Sequence, residues 1–222
     1  MRKKNKVRTW RNTCGPCFGA KVPEFQEITM KSLVDDDCIL PYNFLRLFLG
    51  DKFIQNVSNM SSKYGCKVWC LATAEGELLA CQPDAGLKTK IKNNGLGHGP
   101  DVVLSLSKQY GLKKGTKVAC DNLFTSFDLL DHMGEHGWGV VGIVRQNRLV
   151  GVPMPTKKQA KKEMTRGTMK SVYDNNNCVT IWMDSKAEVL ASNYTGPNPA
   201  GICERYSGKD KAYIKLSYVP VW

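Results

Sequence analysis

The sequence has no apolar run that approaches the roughly 20 residues needed to cross a bilayer as a helix. Its first residues, MRKKNKVRTWRN, are basic, and no apolar segment follows them as it would in a signal peptide. The sequence therefore predicts an intracellular or nuclear protein, in which the basic start could act as a nuclear address or bind phosphate. A solvated tail explains the same residues equally well.

Acidic residues are scarce relative to basic ones. The chain of 222 residues has 20 Asp and Glu against 32 Lys and Arg, a formal net charge of +12. An excess of this size favours a polyanionic partner such as nucleic acid over an acidic small molecule. Charge alone does not name the partner.

The cysteines lack the regular spacing of a disulfide framework. There are 9, an odd number, and most lie among apolar residues, which favours reduced thiols in a reducing compartment. Cys14 and Cys17 are separated by two residues, as in the motif of thioredoxin-like redox proteins. No core strand precedes this motif and no helical pattern follows it, which argues against a redox site. No second ligand pair lies at zinc-finger spacing, so a zinc site is not predicted either.

The chain also lacks internal repeats and low-complexity tracts, and one main domain is expected from its length. We expect three segments. Residues 1–38 form a basic, flexible arm, residues 39–217 form the domain, and residues 218–222 form a tail.

Apolar periodicity changes along the domain. Helical spacing covers residues 40–57, and the runs CKVWCLA (66–72) and ELLACQ (77–82) predict a hairpin of two buried strands. Residues 102–111 predict a helix that stops at Gly111, and TKVAC predicts a strand. SFDLLDHMGEHG predicts a second helix, with Thr125 and Asp128 at capping-box spacing.

The second half of the domain continues the alternation. Residues 139–145 predict a strand, KKQAKKEM a short exposed helix, and CVTIWM and EVLAS two further strands. A strand–helix–strand alternation behind an antiparallel hairpin predicts an α/β fold with a mixed sheet flanked by helices.

Asp121 lies where the strand TKVAC ends and a turn begins. An acid at the carboxyl end of a central strand is a common metal-binding or catalytic group. Asp is equally favoured as the cap of a turn or helix, and both interpretations stay open. His132 and His136 are four residues apart on the following helix, but without a catalytic-zinc pattern they are interpreted as surface residues.

The stretch KVACDNLFTSFDLLDHMGEHGWGVVGIVRQNRL resembles the strand–Asp–helix–strand core of piggyBac transposases and piggyBac transposable element-derived proteins. LPYNFLRLFLGDKFI and KYGCKVWCLA upstream, and RGTMKSVYD, VTIWMDSKAEVLASNY and ERYSGKDKAYI downstream, follow in the family's order. The resemblance covers about residues 38 to 216 and implies an RNase H-like core.

The resemblance also implies a chemistry. Members of the family transpose DNA with three aspartates that hold two magnesium ions, which activate the attacking oxygen and stabilise the leaving one. Asp121 matches the second aspartate, and Thr73 stands at the position matching the first. The third belongs to a stretch beyond RYS, and the sequence ends at Trp222 before one occurs.

These departures predict a truncated, element-derived protein with an incomplete core that does not catalyse transposition and needs no cofactor. Its remaining activity would be DNA binding through a basic surface. The candidate phosphate contacts are Lys88, Lys90, Lys92, Arg145, Arg148, Lys157, Lys158, Lys161 and Lys162.

Two alternatives stay open. An active enzyme would use Mg²⁺ at Asp121 with Glu75 or Asp84 and a third acid from another chain. A nonfunctional gene fragment would fold poorly, because unburied apolar faces and exposed strand edges promote aggregation.

Overall fold

The structure is a computed structural model that describes residues 27–33, 54–56, 64–84, 91–198 and 200–218, with the backbone alone for 27–33, 54–56 and 64–66. The sequence predictions for Cys14, Cys17, Lys88 and Lys90 lie outside these residues. In the described part of the chain, no helix has the length and apolar character needed to span a membrane.

Twelve strands are described. They are β1 (Glu27–Leu33), β2 (Ile54–Asn56), β3 (Tyr64–Cys66), β4 (Val68–Thr73), β5 (Leu78–Pro83), β6 (Lys117–Cys120), β7 (Gly139–Ile143), β8 (Met169–Tyr173), β9 (Cys178–Met183), β10 (Ala187–Ser192), β11 (Gly201–Ser207) and β12 (Ala212–Tyr218).

Eight of these strands form one mixed sheet in the order β5-β4-β1-β6-β7-β10-β9-β8. β6 runs parallel to both β1 and β7, and the other neighbours in the sheet are antiparallel. The remaining strands form two antiparallel pairs, β2 with β3 and β11 with β12. The sheet therefore has three adjacent parallel strands, β1, β6 and β7, at its centre. The loop that contains Asp121 follows the middle one, β6.

Within the described residues, three α-helices pack against the sheet: α1 (His98–Tyr110), α2 (Phe127–Glu135) and α3 (Lys157–Glu163). A short 3-10 helix, Gln146–Arg148, precedes α3. α1 packs on β4 and β5, α2 on β7, and α3 on β10. The core lies between these helices and the sheet, and its fully buried members include Trp69, Leu71, Val102, Leu106, Val118, Phe124, Leu129, Val140 and Ile181.

The predicted α/β class with a mixed sheet and helices against it is confirmed. The hairpin, both helices around Asp121, the strand before Asp121 and the strand pair 178–192 are found where periodicity predicts them. The basic helix begins with a capping box, because Thr156 Oγ1 accepts from the Gln159 N–H and the Gln159 side chain accepts from the Thr156 N–H.

The structure differs from the sequence predictions at three places. β1 lies within the expected flexible arm, yet it pairs with β4 on one side and β6 on the other. β2 lies inside the stretch with helical spacing, yet it is a strand, because its backbone pairs with that of β3. The second helix is capped by Ser126, whose hydroxyl accepts from the Leu129 N–H, one residue later than the predicted capping box begins.

Candidate functional site

Asp121 follows β6 directly, and its side chain is exposed. Its carboxylate accepts a hydrogen bond from the Asn122 N–H at 2.6 Å. Its carbonyl oxygen accepts from the N–H groups of Phe124 at 3.0 Å and Thr125 at 3.2 Å. Asp121 therefore closes the turn that leads from β6 into α2.

Arg148 holds this turn from the side. Its guanidinium donates to the carbonyl oxygens of Asn122 at 3.2 Å, Leu123 at 3.0 Å and Thr125. Burial lowers the pKa of Arg148, and the neighbouring Arg145 adds to that shift. Arginine is not deprotonated in proteins, so the guanidinium keeps its charge and its N–H donors. Three carbonyls of the loop are thus satisfied by one side chain from the 3-10 helix.

Two glycines let neighbouring elements approach the turn closely. A Cβ at Gly99, in the first turn of α1, would lie 2.5 Å from the Leu123 carbonyl oxygen. A Cβ at Gly142, on β7, would collide with the Thr125 hydroxyl and the Cys120 carbonyl. Real Cβ atoms do not approach that closely, so the loop is wedged between α1 and β7 only because both positions lack side chains.

Thr73, which matches the family's first aspartate position, lies at the other edge of the sheet. β4 is antiparallel to β1, and β6 is parallel to β1, so β4 and β6 end at opposite edges. Thr73 pairs with Ile28, which in turn pairs with Val118, three positions before Asp121. Three steps along the strands and two strands across correspond to about 14 Å. The Thr73 hydroxyl instead accepts from the Glu77 N–H at 3.1 Å.

The two other candidate acids are also separated from Asp121. Glu75 is exposed in the turn after Thr73, at the same far edge. Asp84 follows β5 and lies towards the same edge as Asp121, but three strands across and three positions farther along, which is about 17 Å. Its buried carboxylate lies 3.6 Å from Lys67 Nζ. Neither acid is within the few ångströms that a shared metal pair requires.

The position beside Asp121 on the neighbouring strand is basic. Met30 of β1 pairs with Cys120, so the next position on β1 is Lys31. On the other side, Gly142 pairs with Cys120, and Ile143 follows. Sequence reasoning missed this arrangement, because β1 lies in the segment predicted to be a flexible arm.

The described acids do not fit a two-magnesium site. Within residues 67–84, 91–198 and 200–218, no three His, Cys, Asp or Glu side chains come together in a way that could hold a metal ion. Cys120 adds no ligand, because burial and, to a lesser extent, the Asp121 charge raise its thiol pKa to about 12. A buried neutral thiol is a structural group rather than a metal ligand.

Arg145, Arg148 and the start of the lysine-rich helix α3 lie near the edge at which β6 and β7 end. Arg145 Nε donates to Asn122 Oδ1 at 2.9 Å, directly beside Asp121. The N–H of Lys157 donates to Gln146 Oε1 at 3.2 Å, which anchors the start of α3 next to the 3-10 helix. We name this group the basic rim; it consists of Arg145, Arg148, Lys157, Lys158, Lys161 and Lys162.

Members of the basic rim differ in whether they form ion pairs with other side chains of the protein. Lys157 Nζ lies 2.8 Å from Glu188 Oε2, and Lys186 Nζ lies 3.1 Å from Glu188 Oε1. Burial raises the pKa of Glu188, but both lysines outweigh it and hold that pKa below its usual value. Lys158, Lys161 and Lys162 are exposed to solvent.

The other sequence candidates lie elsewhere. Lys92 is exposed in the segment that precedes α1. His132 Nδ1 lies 3.5 Å from Glu135 Oε2, and the His136 ring stacks on Trp138 with centroids 4.8 Å apart. His136 Nδ1 also lies 2.8 Å from the backbone carbonyl oxygen of His132, so each of the two imidazole rings has contacts of its own.

A pocket of about 220 Å³ opens where β6 and β7 begin, at the edge opposite Asp121. It is lined by Gly115, Lys117, Gly134, Gly137, Trp138, Gly139, Asn193 and Tyr194. The Asn193 amide is already used, since it bonds the N–H of Val140 and the carbonyls of Leu130 and Trp138. The pocket therefore offers an incoming ligand few polar groups.

The described residues form an α/β domain with a mixed sheet, an acid at the end of a central parallel strand and basic side chains nearby. A family model described as "Transposase IS4" matches residues 51–217. The chain belongs to this family, the piggyBac transposases.

Individual relatives agree with this assignment. Human piggyBac transposable element-derived protein 3 is 31% identical over 157 residues, 69% of this chain and 26% of the relative. The human chimeric ERCC6-PGBD3 protein is 31% identical over the same length, covering 69% of this chain and 15% of its own. The chain thus spans about a quarter or less of these relatives.

The fold agrees with a solved structure. In a cryo-EM structure of a piggyBac transposase synaptic complex with hairpin DNA, the matching chain is 22% identical and superposes with a TM-score of 0.57. The match covers 76% of this chain and 33% of the transposase. At this identity the likeness concerns the fold.

Proposed function

We propose that this chain is a piggyBac transposase-derived DNA-binding protein with an RNase H-like core that does not catalyse transposition. The observation that carries the proposal is the basic rim beside Asp121, which belongs to no group of three potential metal ligands among the described residues. The antiparallel strands β1, β4 and β5, followed by β6 and β7 parallel to β1, support the RNase H-like part.

Charge supports DNA as the partner. The chain has a formal net charge of +12, and phosphate neutralisation releases counterions from DNA, which drives binding at low salt. Within the basic rim, Arg148 and Lys157 already bond protein groups. The exposed lysines of α3 are therefore the side chains best placed to meet phosphates.

Fluorescence anisotropy with a labelled DNA duplex tests this interface. The triple variant Lys158→Gln/Lys161→Gln/Lys162→Gln is compared with Lys108→Gln/Lys113→Gln/Lys170→Gln, which removes three exposed lysines outside the basic rim. Each lost phosphate contact should reduce the slope of log affinity against log salt by about 0.9.

We expect a reduced slope and weaker binding in the first variant and little change in the second. Equal losses in both variants would mean that binding follows total charge rather than the rim. Binding by the wild-type chain that ignores salt between about 50 and 200 mM would contradict the proposal as a whole.

A nicking assay tests the absence of catalysis. Loss of carboxylate ligands removes the charge compensation that two-metal phosphodiester cleavage requires. We expect no magnesium-dependent nicking of a supercoiled plasmid by the wild-type chain. Nicking that requires magnesium and disappears in Asp121→Ala would show instead that acids beyond the described residues complete a site.

The proposal includes a nuclear location, because DNA is the proposed partner and the first residues are basic. The basic side chains of that stretch are Arg2, Lys3, Lys4, Lys6, Arg8 and Arg11. Microscopy of a fluorescent fusion in cultured cells, beside a fusion in which these residues are Gln, tests it. Equal distribution of the two fusions would contradict the role of this stretch.

A further inference from the structure

Two cysteines lie directly opposite each other in the hairpin that ends the main sheet. Cys70 on β4 pairs with Cys81 on β5 in the antiparallel register, and the irregularity of this ladder begins one residue later, between Leu71 and Ala72. Neither cysteine is in a disulfide, and β5 is the last strand on its side of the sheet. The pair therefore joins an edge strand to its only neighbour within that sheet.

The backbone spacing of such a pair matches that of a disulfide. Directly opposed residues in antiparallel strands have Cα atoms about 4.5 to 5.5 Å apart, and disulfides span about 4.4 to 6.8 Å between Cα atoms. Their Cβ atoms need to approach by only a few tenths of an ångström to about 1 Å. Closing the bond therefore calls for a local shift within the hairpin and no change of strand register.

Both side chains also lie on one face of the sheet. Trp69, Leu71 and Ala80, which flank the two cysteines, are buried in the core beneath α1. Since successive side chains of a strand alternate between faces, Cys70 and Cys81 lie together on the opposite face. Directly opposed residues share a face as well, so the two observations agree.

The two thiols differ in accessibility. Cys81 is exposed, whereas Cys70 is buried. Burial raises the pKa of the Cys70 thiol, and the neighbouring Cys81 adds to that shift. Cys81 is therefore the thiol that reacts first with a reagent in solution. Cys70 reacts only after a mixed disulfide has formed at Cys81 beside it.

We propose that Cys70 and Cys81 are a site of reversible oxidative modification, at which a low-molecular-weight disulfide such as glutathione disulfide converts the two thiols to an intrachain disulfide. The Cys81 thiolate attacks one sulfur of the reagent, forms a mixed disulfide and releases one thiolate. Cys70 then loses its proton and attacks the Cys81 sulfur, which expels the second thiolate. Two protein thiols are oxidised, and one reagent disulfide is reduced to two thiols.

Closure fixes β5 to β4 by a covalent bond. The edge strand otherwise has one hydrogen-bonded neighbour in the described sheet, so its local opening is restrained by that ladder and by its packing against α1. A disulfide at the centre of the ladder restricts that opening. Oxidation should therefore slow amide hydrogen exchange in β5 more than in β8, the strand at the opposite end of the sheet.

Incubation of the folded, fully reduced protein with glutathione disulfide, followed by thiol blocking and mass mapping, tests the site. Trypsin releases residues 68–88 as one peptide with both cysteines, free of Cys66. Cleavage after Glu75 and Glu77 then separates them. We expect the tryptic peptide to become about 2 Da lighter, and its two halves to remain joined until reduction.

Variants separate the two roles. Cys70→Ser should retain a glutathione adduct at Cys81, about 305 Da heavier, because nothing resolves it. Cys81→Ser should leave Cys70 largely unmodified, while Cys203→Ser, on β11, should close as the wild type does. A wild-type chain that stops at the Cys81 adduct, or adducts of equal yield at Cys70 and Cys81, would overturn the proposal.

Discussion

Asp121 occupies a position typical of a metal-binding acid, but its contacts are those of a turn cap. Its carboxylate bonds the next N–H, and its carbonyl bonds two further N–H groups in the turn. Arg148, predicted from sequence as a phosphate contact, bonds three carbonyls of the same turn. The sequence shows which residues are charged, but it does not show which of them are committed to the protein's own backbone.

Replacement of Arg148 by lysine should destabilise the protein although the charge is kept. Lysine lacks the planar array of donors that reaches several carbonyls at once, so at least one of them loses its partner. We expect the free energy of unfolding in urea to fall by about 2 kcal/mol.

Arg145→Lys is the matched control, because Arg145 bonds a single exposed side-chain oxygen. Its effect should stay within about 0.5 kcal/mol. If both variants unfold at the same urea concentration as the wild type, Arg148 does not hold the turn.

Gly142→Ala should be among the most damaging small substitutions. Its Cβ would collide with the Thr125 hydroxyl and the Cys120 carbonyl, and backbone cannot move aside as a flexible side chain can. We expect a loss of about 3 kcal/mol in urea unfolding, or failure to fold. Gly208→Ala, where no atom lies within 4 Å of the added Cβ, should change stability by less than about 0.5 kcal/mol. Equal stability of the two variants would contradict the close approach.

At the scale of elements, α3 is docked on the sheet through charge as well as packing. Ala160 is buried in the core, and Lys157 of α3 and Lys186 both meet Glu188 of β10. Because the pKa of Glu188 is lowered on folding, the folded state binds its proton less readily than the unfolded chain does. The contact therefore stabilises the fold above the ordinary glutamate pKa of 4.5 and is lost as the pH falls below it.

Glu188→Gln should accordingly destabilise the protein in a pH-dependent way. We expect a loss of about 1 kcal/mol in the free energy of unfolding at neutral pH, shrinking as the pH falls below 4.5. Urea unfolding at a series of pH values measures it, with Glu163→Gln as the exposed control on α3. A difference that stays constant across this range would show that the lysines do not act through the carboxylate charge.

Periodicity predicts the elements whose own sequence determines their burial. α1 has a repeating apolar face and a Gly111 stop, and the hairpin β4–β5 has two short apolar runs around a turn. β1, EITMKSL, shows no comparable run, and it becomes a strand because β4 and β6 pair with it on both sides. Such a strand depends on partners distant in sequence, which a local pattern does not contain.

At the scale of the whole molecule, the directions of the strands determine which candidate site residues lie at the same edge of the sheet. The apolar pattern identifies β4 as a strand, but whether it runs with or against β6 depends on β1 between them. Thr73 and Glu75 consequently lie at the far edge, while Arg145 and the start of α3 lie near Asp121. A sequence motif fixes the order of its residues but not the edge at which each one lies.

The excess of positive charge should make folding stability increase with salt. With a formal net charge of +12, the excess basic side chains repel one another in the folded state, and salt ions screen that repulsion. We expect the thermal midpoint to rise by about 2 °C between roughly 20 and 200 mM NaCl, the opposite direction to DNA affinity. The variant Lys158→Gln/Lys161→Gln/Lys162→Gln, with less charge to screen, should show a smaller rise. A midpoint that falls with salt would mean that attractive pairs outweigh the repulsion.

The parallel course of β6 and β7 gives the domain two ends with different chemistry. The glycine-lined pocket lies where these strands begin, and the basic rim lies where they end. A sensor surface that captures the protein near the first end, for example through exposed Lys113, leaves the second end facing the solution. Capture through α3 would instead block the lysines that are proposed to contact DNA. The choice of anchoring lysine therefore decides whether such a sensor detects DNA binding.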